Sequence, residues 1–188
     1  TLKEVNGRQI AIIGQAFPYT PIANPARLVP NLTFGIREQE LQTTLDKLKD
    51  KHKPDLVVVL SHNGVDVDKK LASRVNGIDI ILGGHTHDAV PNTIEVKNNS
   101  GVTLVANSGC NGKFISVMDI KFSGKSYTYK YDLIPILSSQ IVPDKDMERY
   151  INKISDPYKT ELSETVGYAS ETMYRRSNFN GTFDDLLC

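Results

Sequence analysis

The chain has 188 residues, of which 39% are hydrophobic and 23% charged, as expected for one globular domain or one domain with part of a second. Its 22 Lys and Arg residues balance its 22 Asp and Glu residues, which argues against a dedicated nucleic-acid-binding protein with a basic surplus. No apolar run approaches the ~18–20 residues that a membrane-spanning helix needs. The two cysteines, Cys110 and Cys188, form no disulfide framework or zinc motif, and we expect two free thiols.

The first half of the chain alternates short apolar runs with amphipathic segments. Three β-branched or continuously apolar runs predict buried strands, over residues 8–14, 55–60 and 79–82. Residues 36–51 and 67–75 show helical spacing of their apolar residues, and four prolines between residues 15 and 33 predict a long loop. The resulting order of strand, helix, strand, helix, strand predicts an α/β layered core.

The second half begins with four further strands joined by short turns, over residues 93–96, 102–106, 115–122 and 127–133, and we expect them to form an antiparallel run. Residues 144–162 predict a helix interrupted near Pro157, with Asp144 as its N-cap. We therefore expect the later part of one domain over residues 1–140, a linker helix over 141–162 and the start of a second domain over 163–188. The chain opens without Met and stops beside an apolar pair, so we also expect it to be a piece of a longer protein.

Three of the four histidines follow predicted core strands. His62 follows residues 55–60, and His85 and His87 follow residues 79–82. Ligands bind beyond the carboxyl ends of strands in open α/β sheets, and imidazole is a common metal ligand. In an extended chain His85 and His87 would point to the same side, so we predict that all three imidazoles converge on one ion-binding pocket. A hydrogen-bonded surface histidine is the alternative for each, and His52, at the polar end of a helix, is expected to be solvated.

The two histidine motifs, SHNG at residues 61–64 and GGHTH at residues 83–87, resemble the second half of the signature of metallophosphoesterases of the 5′-nucleotidase family. The resemblance implies a four-layered αββα domain that binds two divalent metal ions, a linker helix and a C-terminal substrate domain. By the same resemblance, His62 and His85 would bind one ion and His87 the other. The family's Asp-x-His motif, bridging aspartate and Asn-His-Glu motif have no counterpart in this sequence, so we expect the chain alone to be inactive and to bind metal weakly.

Three other segments resemble the SoxB thiosulfohydrolase branch of that family. They are GQAFPY at residues 14–19, FGIRE at 34–38 and YRRSNFNGTFD at 174–184. Ser177 and Thr182 stand where nucleotidases usually show other residues, which disfavours a nucleotidase. The resemblance implies a periplasmic hydrolase that releases sulfate from a cysteine S-thiosulfonate on a SoxYZ-type sulfur carrier protein. It also implies manganese as the metal, although zinc or iron would suit the same ligands.

Further residues are predicted to belong to the site, and an ordinary structural role is the alternative for them. Arg175 and Arg176 could pair with sulfonate oxygens, because a guanidinium matches such groups well, or could be solvated. Asn107 could line the floor of the cleft. Asn63 and Asp88 could orient the ligand histidines from behind or be ordinary loop residues. No catalytic acid or base is assigned. The alternatives left open are a 5′-nucleotidase or cyclic-nucleotide phosphodiesterase, and a catalytically dead binding protein.

Overall fold

The computed structural model describes residues 1–175 and 181–188, which divide into two compact units, residues 1–141 and 142–188. The strands are β1 (Leu2–Val5), β2 (Arg8–Gln15), β3 (Leu56–Ser61), β4 (Ile80–Gly83), β5 (Ile94–Asn98), β6 (Gly101–Asn107), β7 (Phe114–Ser123) and β8 (Ser126–Pro135). The helices are α1 (Thr20–Ala23), α2 (Glu38–His52), α3 (Val65–Arg74), α4 (Lys145–Ser155), α5 (Lys159–Leu162) and α6 (Thr182–Leu187), with 3-10 turns at Ala26–Leu28 and Asp156–Tyr158.

The first unit is built on a six-stranded sheet in the order β1-β2-β3-β4-β6-β5. Strands β2, β3, β4 and β6 are parallel, whereas β1 and β5 pair antiparallel at the two edges. The expected antiparallel run after His87 is confirmed for the pairs β5–β6 and β7–β8, but β6 also pairs parallel with β4 and so lies between β4 and β5. The carboxyl ends of the four parallel strands consequently lie along the same edge of the sheet.

Alternation along the strands divides the core into two clusters, one on each face of the sheet. On one face Val59, Ile81 and Val105 pack with Leu45 of α2 and Leu71 of α3. The opposite face packs against the β7–β8 hairpin, through Leu56, Ile80 and Leu104 of the sheet and Met118, Ile120 and Phe122 of the hairpin. Because successive side chains of a strand point to opposite faces, these almost wholly apolar strands are covered on both sides. The unit thus has a helix layer, a mixed sheet and a hairpin layer.

Three elements of the first unit were not predicted from the sequence. Strand β1 is exposed along its whole length, so it carries no buried face that a periodic pattern could reveal. The proline-rich stretch contains α1, whose first turn includes a proline, and the 3-10 turn Ala26–Leu28. A proline is favoured in the first turn of a helix because its missing N–H needs no partner there.

The second unit begins with α4, whose N-cap Asp144 accepts hydrogen bonds from the backbone N–H groups of Asp146 and Met147. The helix gives way to the 3-10 turn Asp156–Tyr158 at Pro157 and then continues as α5, as the sequence predicts. Proline lacks the N–H that the next α-helical hydrogen bond requires. Within residues 1–175 and 181–188, no helix combines the length and the apolar content that crossing a bilayer requires.

Candidate metal centre

Two of the predicted ligands meet at the carboxyl edge of the sheet. His62 directly follows β3, and His85 lies two residues beyond the end of β4. Their ring centroids are 5.2 Å apart, with the ring planes at 65°. Two imidazoles that bind one tetrahedral ion through nitrogens at ~2.1 Å have ring centres about 5 Å apart. The positions of these two rings therefore fit a shared divalent ion.

The two loops that carry these histidines pack into each other through glycines. A Cβ on Gly64 would lie 2.7 Å from Cγ2 of Thr86, and Gly64 has a φ of +98° that only glycine adopts readily. A Cβ on Gly84 would lie 3.2 Å from Nδ1 of His62. The backbone N–H of Val65 also donates to Oγ1 of Thr86 across 3.2 Å. The two glycines thus allow close packing between the loops: Gly64 makes room for Thr86, beside His85, and Gly84 makes room for the ring of His62.

The prediction that His85 and His87 lie on the same side of an extended chain is wrong. Both residues have positive φ, 76° for His85 and 60° for His87, and the N–H of Thr86 donates to the carbonyl of Gly84 across 3.0 Å. The backbone therefore turns tightly here instead of continuing the strand. The residues that the structure describes contain no group of three or more His, Cys, Asp or Glu residues that could hold a metal. His62 and His85 come together without His87, whose assignment to a second ion stays a prediction.

Phe17 belongs to the same site, although no role was predicted for it from the sequence. It lies in the loop after β2, and its ring centroid is 4.0 Å from that of His85 at an interplanar angle of 30°. The edge of His62 faces it at 6.2 Å and 89°. Because β2 is parallel to β3, its carboxyl end reaches the same edge of the sheet. That adjacency was the available signal, since the residues after β2 had to lie beside those after β3.

Asn63 and Asp88, predicted to orient the histidines from behind, have other hydrogen-bond partners in the structure, and that role stays a prediction for both. The side-chain amide of Asn63 is buried and donates to Oδ1 of Asp68 across 3.1 Å. Asp88 is exposed, and its backbone carbonyl accepts from the N–H of Gly109 across 2.7 Å. Asn107, predicted to line the cleft floor, is only 1% exposed and is closed off from solvent in this structure.

Asp68 is a buried site residue that was not predicted from the sequence, because acidic side chains are seldom fully buried. Its helical spacing to Leu71 and Ala72, which are buried on the same face of α3, was the available signal. Its side chain is fully buried and accepts from Oγ of Ser61 across 2.5 Å. Burial raises the pKa of Asp68 above the ordinary aspartate value, and the hydrogen bonds from Ser61 and Asn63 oppose that shift.

The two arginines predicted to bind substrate belong to the second unit. Arg175 is 79% exposed, and its Nε lies 3.9 Å from Oδ1 of Asp184, at the outer limit of an ion pair. Arg176 lies outside the residues that the structure describes. A role for either arginine in substrate binding stays a prediction.

A cavity of about 350 Å³ adjoins the end of β2, between that strand, residues 32–37 and α2. Its lining is mainly apolar and includes Ile13, Phe34 and Leu41. The charged residues of the lining are Arg37 and Glu40, which form an ion pair with each other. None of the histidines lines it. The cavity is therefore not the same site as the histidine pair.

No family model matches the chain. Among curated proteins, it is 28% identical over 207 residues to the 5′-nucleotidase of Rattus norvegicus, covering 97% of this chain and 35% of the relative. It is also 28% identical over 172 residues to the trifunctional nucleotide phosphoesterase YfkN of Bacillus subtilis, covering 89% of this chain and 11% of the relative.

Solved structures give a similar result. The sulfate thiohydrolase SoxB of Thermus thermophilus matches all of this chain and 34% of its own, with a TM-score of 0.86 and 28% identity. A 5′-nucleotidase precursor from Thermus thermophilus matches 94% of this chain and 37% of its own, with a TM-score of 0.80 and 25% identity. The comparisons support the 5′-nucleotidase and metallophosphoesterase superfamily.

The predicted mixed α/β fold class is confirmed, since the fold matches the corresponding domain of these hydrolases. The relatives also support a hydrolase of the metallophosphoesterase family. The chain spans about a third of the length of the 5′-nucleotidases and of the SoxB structure that it matches. What the whole protein acts on and binds is therefore a matter for proposal.

Proposed function

We propose that this chain forms part of a two-metal hydrolase that releases sulfate from a cysteine S-thiosulfonate on a sulfur carrier protein. In it, His62 and His85 bind one divalent ion and His87 contributes to the second. The observation that carries the proposal is the 5.2 Å approach of the His62 and His85 rings at the carboxyl edge of the parallel sheet. The fit of the whole chain to the SoxB fold supports the choice of substrate class.

The reaction is a hydrolysis and needs no oxidant. A water oxygen forms a new S–O bond to the terminal sulfonate sulfur, the S–S bond breaks, and the electron pair stays with the departing persulfide sulfur. Two protons are released with the sulfate. The ions would supply the positive charge that activates water and stabilises the charge developing on the leaving group. Sulfonate and phosphate are both tetrahedral oxyanions, so the scaffold of a phosphoesterase suits either group.

The residues of this chain have distinct parts in that site. The imidazoles of His62 and His85 hold their ion, and the ring of Phe17 packs on His85 and covers one side of it. An apolar ring beside charged groups excludes water and strengthens their electrostatic interactions. Arg175 or Arg176 would bind the sulfonate oxygens, because a guanidinium offers paired donors to such a group.

The proposal includes the setting of the reaction. The metal in this branch is manganese, with zinc or iron compatible with the same ligands. The partner is a SoxYZ-type carrier that presents its modified cysteine on a flexible arm, and the compartment is the periplasm. These assignments rest on the resemblance of residues 14–19, 34–38 and 174–184 to the SoxB branch.

A second candidate is a 5′-nucleotidase. It is favoured by the sequence relatives, several of which are 5′-nucleotidases at 25–28% identity. In this case the same histidine pair would serve a phosphate ester, and the bound group would be a nucleoside monophosphate. Both candidates bind a tetrahedral oxyanion at the same edge of the sheet. They differ in the leaving group, which is a cysteine persulfide in the first candidate and a nucleoside in the second.

One experiment separates the two candidates. The full-length protein is incubated with Mn²⁺ and either a carrier loaded with cysteine S-thiosulfonate or AMP, and sulfate and phosphate are measured. We expect sulfate release from the carrier and little phosphate from AMP. Phosphate release from AMP without sulfate release would replace the first candidate with the second. If neither sulfate nor phosphate were released, the hydrolase proposal would have no support.

Metal binding is tested on the same protein with Co²⁺, whose visible absorption reports nitrogen ligation. His62→Ala and His85→Ala should each remove most of the absorption of one ion. His52→Ala is the matched control, because His52 is an exposed histidine at the end of α2. Equal spectra for His62→Ala and His52→Ala would contradict the assignment of His62 as a ligand.

A further inference from the structure

A group of buried polar side chains lies directly behind the two histidine loops. Its members are Ser61, Asn63, Asp68 and Asn107, which are 7%, 4%, 0% and 1% exposed. None of them is an ion ligand in the proposed function. Burying polar side chains costs free energy unless they are hydrogen-bonded, so the burial of four of them at one place needs a structural explanation.

Asp68 connects this group to the loop that carries His62. Its Oδ1 accepts from Oγ of Ser61 across 2.5 Å and from Nδ2 of Asn63 across 3.1 Å. The backbone N–H of Asn63 in turn donates to Oγ of Ser61 across 3.2 Å. Ser61 and Asn63 are the two neighbours of His62 in the chain. The backbone is therefore tied to Asp68 on both sides of His62.

The other carboxylate oxygen of Asp68 faces the loop that carries His85. A Cβ on Gly83 would lie 2.7 Å from Oδ2 of Asp68, and a Cβ on the next residue, Gly84, would lie 3.2 Å from Nδ1 of His62. Two adjacent glycines, by lacking a Cβ, thus leave room for Asp68 and for the His62 ring in turn. Asp68 is consequently hydrogen-bonded to the first loop, and its Oδ2, which has no hydrogen-bond partner among the described residues, packs beside Gly83 at the end of β4, where the second loop leaves the sheet.

We infer that Asp68 is a positioning residue that sets the relative placement of the His62 and His85 rings by holding both loops from behind. The inference rests on the proposed function, in which those rings bind one ion. A purely local role is the alternative, because an acidic side chain in the first turns of α3 also stabilises the positive end of that helix. The two roles differ in whether the imidazoles move when Asp68 is replaced.

The direct test is the contact between the rings, measured by nuclear Overhauser effects in the chain without metal. In the parent protein the ring protons of His62 should show an effect to those of His85, and those of His85 to Phe17, given centroid separations of 5.2 Å and 4.0 Å. Asp68→Ala and Asp68→Leu should lose the His62–His85 effect. Asp68→Asn, which keeps an oxygen acceptor for Ser61, should restore it.

Matched controls separate positioning from general loss of structure. Asp66→Asn changes an acid in the same helix whose side chain is 89% exposed, and it should leave the ring contact intact. The methyl signals of Ile81 and Val105, in the cluster on the helix side of the sheet, report whether the sheet remains folded. If Asp68→Ala does not fold, Ser61→Ala removes one hydrogen bond to Asp68 and should weaken the ring contact on its own.

Retention of the His62–His85 contact in folded Asp68→Ala or Asp68→Leu would overturn the inference, because the rings would then keep their placement without the hydrogen bonds of Asp68. Equal loss in Asp66→Asn would overturn it as well. Titration with Co²⁺ adds an independent readout, with dissociation constants expected to rise about 10- to 100-fold in Asp68→Ala. If the full-length protein without substitutions shows no nitrogen ligation of Co²⁺, the proposed function fails, whereas the ring contact still decides the role of Asp68.

Discussion

The ring of Phe17 lies 4.0 Å from that of His85 and is tilted from it by only 30°, so the loop after β2 packs on a histidine that follows β4. Aromatic pairs of this kind contribute ~0.5–1.5 kcal/mol beyond their buried area. Phe17→Ala should therefore weaken Co²⁺ binding about two- to tenfold, measured by absorption titration. Phe34→Ala is the control, since Phe34 lines the neighbouring cavity. An unchanged dissociation constant in Phe17→Ala would show that the stacking does not hold His85.

A second prediction concerns the glycine beneath His62. In Gly84→Ala the new methyl group would lie 3.2 Å from Nδ1 of His62, which forces the ring to shift. We expect weaker Co²⁺ binding and altered ring resonances of His62. Gly14→Ala is the matched control, because a Cβ there meets nothing within 4 Å. Equal binding by the two variants would show that the His62 ring tolerates the methyl group.

Much of the fold followed from local patterns in the sequence. Strands β3 and β4 were predictable because continuous apolar runs of three to five residues suit a sheet covered on both faces. The antiparallel pairing of β6 with β5 was also predictable, but its parallel pairing with β4 was not, because the apolar run at residues 102–106 looks the same in a parallel or an antiparallel pair. Its partner is chosen by packing between distant segments of the chain, which a local pattern does not encode.

In the candidate site, too, some features were predictable from local sequence patterns and others were not. His62 and His85 were found because the ends of parallel strands share an edge of the sheet. The left-handed backbone of His85 and His87 was not predictable, since positive φ in residues other than glycine is set by the surrounding structure. Asp68 was missed because acidic side chains are seldom fully buried, although it has the helical spacing of Leu71 and Ala72, which are buried on the same face of α3.

The pH dependence of stability should distinguish the two aspartates that precede core strands. Burial raises the pKa of Asp79, which accepts from the backbone N–H of Val57, so the folded protein holds more protons than the unfolded one just above the ordinary aspartate pKa. Stability due to Asp79 therefore falls as pH rises through that window. The pKa of Asp55 is lowered, first by the backbone N–H of Gln9 and then by Arg8, so its stabilisation is lost as pH falls through the lowered value.

The measurement compares urea unfolding of the parent protein with Asp79→Asn and Asp55→Asn between pH 3 and pH 7, an interval of about four units around the ordinary aspartate pKa. The stability difference between the parent and Asp79→Asn should decrease with rising pH, whereas the difference for Asp55→Asn should increase. Each variant serves as the control for the other, because both replace an aspartate at the start of a parallel strand. Slopes of the same sign would contradict the opposite pKa shifts.

The final prediction concerns the helix layer that holds the sheet in place. Leu45 is fully buried in α2 and packs in the cluster on the helix side of the sheet. Leu45→Ala should lower the free energy of unfolding by ~2–5 kcal/mol, because it removes buried methyl groups and leaves a cavity. Thr44→Ala, at the exposed neighbouring position, should change it by no more than ~0.5 kcal/mol. Urea unfolding followed by circular dichroism gives both values, and a loss below ~1 kcal/mol for Leu45→Ala would mean that α2 does not pack on the sheet as tightly as the structure shows.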